Sequence, residues 1–186
     1  MSHPDQNFPP GDFGGQRGSV FMDLLLAPVD RGAGFDDIMK LSRTTDCDFH
    51  NITVQAGAQR ENALDINNES CRNKLTHLRL DAGGMNAILI KGGSCDNDFD
   101  DVLISRPGGH CDLYVGDYSD QSKARSTGNK FNDIRRLDAQ PVRVAWNFLR
   151  ADRPVLTHSK VRYLYALSLV RTIYVELKYL FPRLIP

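Results

Sequence analysis

Phe49-His50-Asn51-Ile52-Thr53-Val54 decides the fold, because its spacing returns further along the chain. The order is a leading large apolar residue, two polar residues, an aliphatic one, one more residue, and a second aliphatic one. It recurs as Leu75-x-x-Leu78-x-Leu80 and as Phe99-x-x-Val102-x-Ile104. Gly57 and Gly83 follow the first two copies three residues on, and Gly108 follows the third. A degraded copy is Phe131-x-x-Ile134-x-x-Leu137, and an earlier one runs across Phe21-x-x-Leu24-x-Leu26. From Phe49 onward the leading residues lie 26, 24 and 32 residues apart, the last interval holding an insertion around Ser119–Asn129.

Each copy is followed by a second short alternating run: Leu64-x-Ile66, Ile88-x-Ile90, Leu113-x-Val115 and Val142-x-Val144, with Ile38 to Leu41 serving the earliest copy. Two period-2 strands separated by Gly, Asn and Asp turns make one unit. Such a pair cannot bury its own apolar face. Stacking equivalent strands coil on coil, about 4.8 Å apart, pairs the backbone and builds a continuous core. The intervals are too short for crossover helices, which excludes a βαβ sheet. The Leu and Asn signature of leucine-rich repeats is absent, and a β-sandwich would not align columns of Phe and Gly. The expected fold is all-β, a right-handed parallel β-helix of about four to five coils.

On these repeats, from Phe21 to Phe148, the chain resembles the right-handed parallel β-helix superfamily, often called pectin-lyase-like. That superfamily includes pectate lyases, polygalacturonases, epimerases, phage tailspikes and bacterial surface proteins, so the resemblance implies an architecture and leaves function open. Three segments are expected: an extended N-terminal arm over 1–18, the β-helix over 19–158, and a capping or oligomerisation segment over 159–186. The arm is rich in Gly, Pro and polar residues and has no apolar signal-peptide core. In the last segment Val161–Phe181 is apolar and aromatic but interrupted by Arg162, Arg171, Glu176 and Lys178, so no membrane span is expected. Its pattern suits either a helix with Ser168, Arg171, Thr172 and Glu176 on the polar side, or a strand from Val161 to Leu169. It either caps the last coil or meets other copies. A trimer is what the resemblance to tailspikes implies.

Formal net charge is zero, which gives no reason to expect nucleic-acid binding. Residues 1–122 carry 10 Lys and Arg against 19 Asp and Glu, while residues 123–186 carry 13 against 4. Such a bipolar molecule is suited to head-to-tail contact with its own copies or to docking on an anionic partner. Cys47, Cys71 and Cys95 are 24 and 24 residues apart and read as an inward column of free thiols, with Cys111 elsewhere. The sequons at Asn51 and Asn68 read as ordinary turns.

Chemistry, if present, belongs to the polar columns. Asn51, His77, Asp101 and Asp133 each stand two residues after a leading residue, beside the column His50, Thr76, Asp100 and Asn132. Thr53, Arg79, Leu103 and Arg135 point outward. Asp101 and Asp133 one coil apart would place two carboxylates roughly 5 Å from each other, the separation of a retaining glycosidase. The candidate catalytic residues are therefore Asp101, Asp133, His77 and Arg79. A lyase of this fold would use Arg or Lys as base with Ca²⁺, for which Asp96, Asp98 and Asp100 could supply oxygen ligands. Against an enzyme stand the short turns, an incomplete set of polygalacturonase motifs (only Asp100-Asp101 and Gly108-Gly109-His110 hint at it) and the missing Asp-Pro-His-Glu motif of epimerases. The sequence thus favours a non-catalytic structural or adhesion module at a virion or cell surface, or else in the cytoplasm. The alternative is a polysaccharide lyase or glycoside hydrolase acting on an anionic polysaccharide.

Overall fold

The computed structural model describes residues 11–27, 37–55, 62–82, 84–116 and 124–164. Gly57, Gly83, residues 119–123 of the insertion, Met1–Pro10 and Tyr165–Pro186 lie outside them. In chain order the strands are β1 (Gly11–Asp12), β2 (Val20–Leu26), β3 (Asp37–Ser42), β4 (Asp48–Val54), β5 (Asn62–Asn67), β6 (Lys74–Asp81), β7 (Asn86–Ile90), β8 (Asp98–Arg106), β9 (Cys111–Val115), β10 (Lys130–Arg136), β11 (Val142–Trp146), β12 (Val155–Thr157) and β13 (Val161–Tyr163). Odd strands form one parallel sheet, β1-β3-β5-β7-β9-β11-β13, and even strands the other, β2-β4-β6-β8-β10-β12. The chain thus alternates between two sheets and climbs one strand per circuit, a parallel β-solenoid of about five turns. No helix of the described residues is long and apolar enough to cross a membrane.

The register places like over like. Phe21, Phe49, Leu75, Phe99, Phe131 and Leu156 form one inward column. Leu24, Ile52, Leu78, Val102 and Ile134 form the next, and Met39, Leu64, Ile88, Leu113, Val144 and Tyr163 line the opposite sheet. Phe21 stacks on Phe49 at 4.9 Å, and Phe99 on Phe131 at 5.0 Å. Each fully buried side chain of this kind contributes roughly 1.5–3 kcal/mol by leaving water.

A three-residue step from Phe49 to Ile52 cannot keep both side chains inside a continuous pleat, where facing repeats every two residues. One residue per coil resolves this by taking a left-handed conformation. Asp23, Asn51, His77, Asp101, Asp133 and His158 all have φ between 49° and 57°. The left-handed region costs most L-residues about 1–2 kcal/mol, and Asp, Asn and His tolerate it best. That accounts for the composition of the column. A second left-handed column, Gly18, Asp46, Arg72, Asp96 and Gly128, turns the chain three residues before each leading residue.

Between that second corner and the leading residue runs an asparagine ladder. The Asn73 Oδ1 accepts from the Cys47 amide at 3.1 Å, Asn97 Oδ1 from the Asn73 amide at 3.1 Å, and Asn129 Oδ1 from the Asn97 amide at 3.2 Å. Asn73 Nδ2 donates onward to Asn97 Oδ1, and Asn97 Nδ2 to Asn129 Oδ1, both at 2.9 Å. Asn73 and Asn97 are buried.

Three sequence expectations change. Cys71 and Cys95 are joined in a disulfide, with Cα atoms 4.6 Å apart, rather than being free thiols. Cys47 is free and buried, and leaves the cysteine column because it stands level with Asn73, while Thr45 stands level with Cys71. Leu137 is not the third core residue of its copy: it is 65% exposed, and Arg136 stands level with Ile104. The Arg136 guanidinium reaches Asp112, which has no exposed surface, at 3.5 Å, and also pairs with Asp138. Arg143 completes this buried ion pair at 3.0 Å from Asp112. At the ends, Gly11–Gly18 runs within the stack, with β1 paired to β3 and the Gly18 amide bonded to Thr45 O at 3.1 Å, and Val161–Tyr163 pairs with β11.

Replacing Asn97 by Ala removes both rungs it joins and leaves buried partners unpaired, each worth about 1–3 kcal/mol. Urea denaturation of Asn97→Ala is expected to show a loss of about 3 kcal/mol, similar to the loss of about 3–5 kcal/mol for Phe99→Ala. A loss under about 1 kcal/mol for Asn97→Ala would contradict the ladder's role.

Candidate functional site

The outward face of the even-numbered sheet carries the polar columns. Despite the insertion, Asp133 stands over Asp101, because Asn132 pairs with Asp100 and Ile134 with Val102. Asn51, His77, Arg79, Asp101 and Arg135 line a depression of about 110 Å³, with Leu78 and Leu103 beneath. His77 Nε2 lies 3.6 Å from Asp101 Oδ2. Arg135 Nη2 lies 2.6 Å from Asp101 Oδ1, and its Nη1 pairs with Asp133. The four predicted catalytic residues thus come together, three in the depression and Asp133 beside it.

What joins the carboxylates is a cation. Partial desolvation of the Arg135 guanidinium is outweighed by hydrogen bonds and charge from Asp101 and Asp133, which raise its pKa. Two carboxylates that straddle a guanidinium are not set as a nucleophile and an acid facing one sugar ring. Other residues of the face are tied in the same way, coil to coil. Asn51 Nδ2 donates to Asp23 at 2.6 Å, Asn132 Nδ2 to Asp100 at 2.6 Å, and Thr157 Oγ1 to Asn132 at 2.8 Å. His50 Nδ1 and Thr76 Oγ1 are 2.9 Å apart.

The predicted Ca²⁺ ligands do not share a place. Asp96 sits at the second left-handed corner, while Asp98 and Asp100 lie on β8, the latter accepting from Asn132. Among the described residues no group of three His, Cys, Asp or Glu side chains could hold a metal ion.

Sequence reasoning missed a buried carboxyl pair on the odd-numbered sheet. Burial, then the charge of Asp65, raises the Asp37 carboxyl to about 7. Burial also raises Asp65, which Lys91 approaches at 3.5 Å. Asn62 Nδ2 donates to Asp37 at 2.8 Å and Asn67 Nδ2 to Asp65 at 2.8 Å. Alternation in Leu64-x-Ile66 turns Asp65 outward and gives no sign that the outer face of β5 is buried as well.

The chain matches no protein-family model, no curated protein and no solved structure.

Two measurements test these readings. His77→Gly should hold or raise stability by up to about 1 kcal/mol, and His77→Val should lower it by about 1–2 kcal/mol, because the corner demands a left-handed residue. Equal effects in thermal unfolding would refute the corner reading. For Asp37, the folded pKa lies above the unfolded value, so the folded state holds a proton that the unfolded chain releases. Its contribution is fully present below about pH 4 and is lost as pH rises through about 7. Denaturation at about pH 8 and pH 5 should show greater stability at the lower pH, on the order of 2–4 kcal/mol. Asp37→Asn should flatten that slope.

Proposed function

We propose that the chain is a non-catalytic structural or adhesion module of a multimeric assembly, a virion or tail component or a cell-surface part. The observation that carries this reading is the use of the polar face: its Asp, Asn, His and Arg side chains bond the neighbouring coil, and its left-handed column meets a backbone requirement. A pile of coils tied in this way is a rigid rod suited to bearing load or display. The Cys71–Cys95 disulfide supports an oxidising location such as a cell or particle surface. Val20, Met22 and Leu25 on the first even strand are 61%, 54% and 62% exposed, and this apolar row supplies a contact surface for neighbours. The resemblance of the sequence repeats to those of tailspike β-helices makes a homotrimer the assembly proposed here.

The second reading is a polysaccharide lyase or glycoside hydrolase on an anionic polysaccharide, favoured by the gathering of His77, Arg79 and Asp101 in one depression.

Light scattering on the purified protein separates the two. The structural reading expects a stable multiple of 20.9 kDa and no cleavage of uronate polymers with or without Ca²⁺. A monomer that cleaves such a polymer, with activity lost in Asp101→Asn, would overturn it in favour of the enzyme.

A further inference from the structure

The ladder that runs through the stack stops at one place. In successive coils the Asp46 amide donates to Cys71 O at 3.1 Å, the Arg72 amide to Cys95 O at 3.0 Å, and the Asp96 amide to Thr127 O at 3.0 Å. Gly128 is the next residue in that column and its amide meets no such acceptor among the described residues. The same break falls one residue later. The Cys47, Asn73 and Asn97 amides each donate to an asparagine Oδ1 of the coil above. The residue above Asn129 is Pro154, two before Leu156, and its ring offers neither a side-chain acceptor nor an N–H.

The two coils part there around a cavity of about 310 Å³, whose lining includes Gly128, Asn129, Lys130, Phe131, Arg153 and Pro154. Gly128 is left-handed, with φ of 66°, and column repetition aims its amide and that of Asn129 at the following coil. Consecutive amides converging near a left-handed residue form an anion-binding concavity. Lys130 and Arg153 add two cations to the rim. Arg153 is held over the Tyr163 ring at 4.5 Å, which places its charge. The carboxylate of Asp152 also borders the cavity, but Arg125 binds it at 3.0 Å. Phe131, Val115 and Pro154 give an apolar floor, and the volume is that of a small-molecule site.

We propose that this gap between the fifth and sixth coils is a binding site for a small oxyanion, a carboxylate or a phosphate carried on a compact molecule. The amides of Gly128 and Asn129 donate to its oxygens and Lys130 and Arg153 flank it. The site lies away from the His77–Asp101 depression and does not depend on whether the chain is structural or enzymatic.

Titration calorimetry of the native protein tests it with three probes: inorganic phosphate, galacturonate and uncharged galactose. Binding of phosphate or galacturonate, without binding of galactose, is the expected result, and which anion binds more tightly identifies the carrier. Lys130→Ala and Arg153→Ala should each weaken binding at least about tenfold. Pro154→Asn supplies the missing acceptor, closes the gap, and should abolish binding while leaving unfolding stability unchanged or raised. No binding of either anion at about 10 mM, binding of galactose as strong as that of galacturonate, or full binding by a folded Pro154→Asn variant would each overturn the proposal.

Discussion

Parallel strands that are neighbours in a solenoid are a whole coil apart in sequence, so each circuit must bring the chain back at the same height and with the same residues facing inward. The repeating columns of this molecule answer that constraint. Backbone pairing holds neighbouring strands together but does not by itself choose which residue sits over which, since a slip of two residues keeps the pleat. Side chains make the choice. The asparagine ladder makes it inside, because only at the correct register does each Oδ1 meet the amide of the coil below. The left-handed corner makes it again, because the three-residue step from leading residue to aliphatic must fall at the same place in every coil.

Charge repeats the message on the outside. Asp48, Lys74, Asp98 and Lys130 stand one above another, so each coil presents a sign opposite to its neighbours. At the second corner Arg72 bonds Asp46 at 2.7 and 2.8 Å, which holds the Asp46 carboxyl below the usual range. Exposed pairs of this kind contribute little to stability. Their effect is on choice, because coils paired out of order, Asp48 beside Asp98, would set like charges together. The buried Asp112 with Arg136 and Arg143 is different, since loss of both arginines would strand its charge in the core.

Much of this was legible. The apolar columns are written in the residues themselves, and Phe49, Leu75 and Phe99 stack as their spacing requires. The cysteine reading failed for a reason also present in the sequence. Cys47 precedes its leading residue by two positions and Cys71 and Cys95 precede theirs by four, so equal 24-residue spacing could not coexist with the 26-residue interval from Phe49 to Leu75. The asparagine ladder was open to the same test, since Asn73, Asn97 and Asn129 all stand two before a leading residue. That His77, Arg79 and Asp101 stand together follows from the same columns, but the reason for the column's composition was hidden, because φ is a backbone property that residue types only hint at. The Asp37–Asp65 pair was out of reach, since alternation does not report whether a sheet's outer face is covered.

The central claim is register, and the thiols report it most directly. Mild oxidation followed by alkylation and non-reducing peptide mapping should find Cys71 linked to Cys95, with Cys47 and Cys111 alkylated only after unfolding. A Cys47–Cys71 link would place those residues level with each other, two positions away from the stacking described here, and would contradict the account.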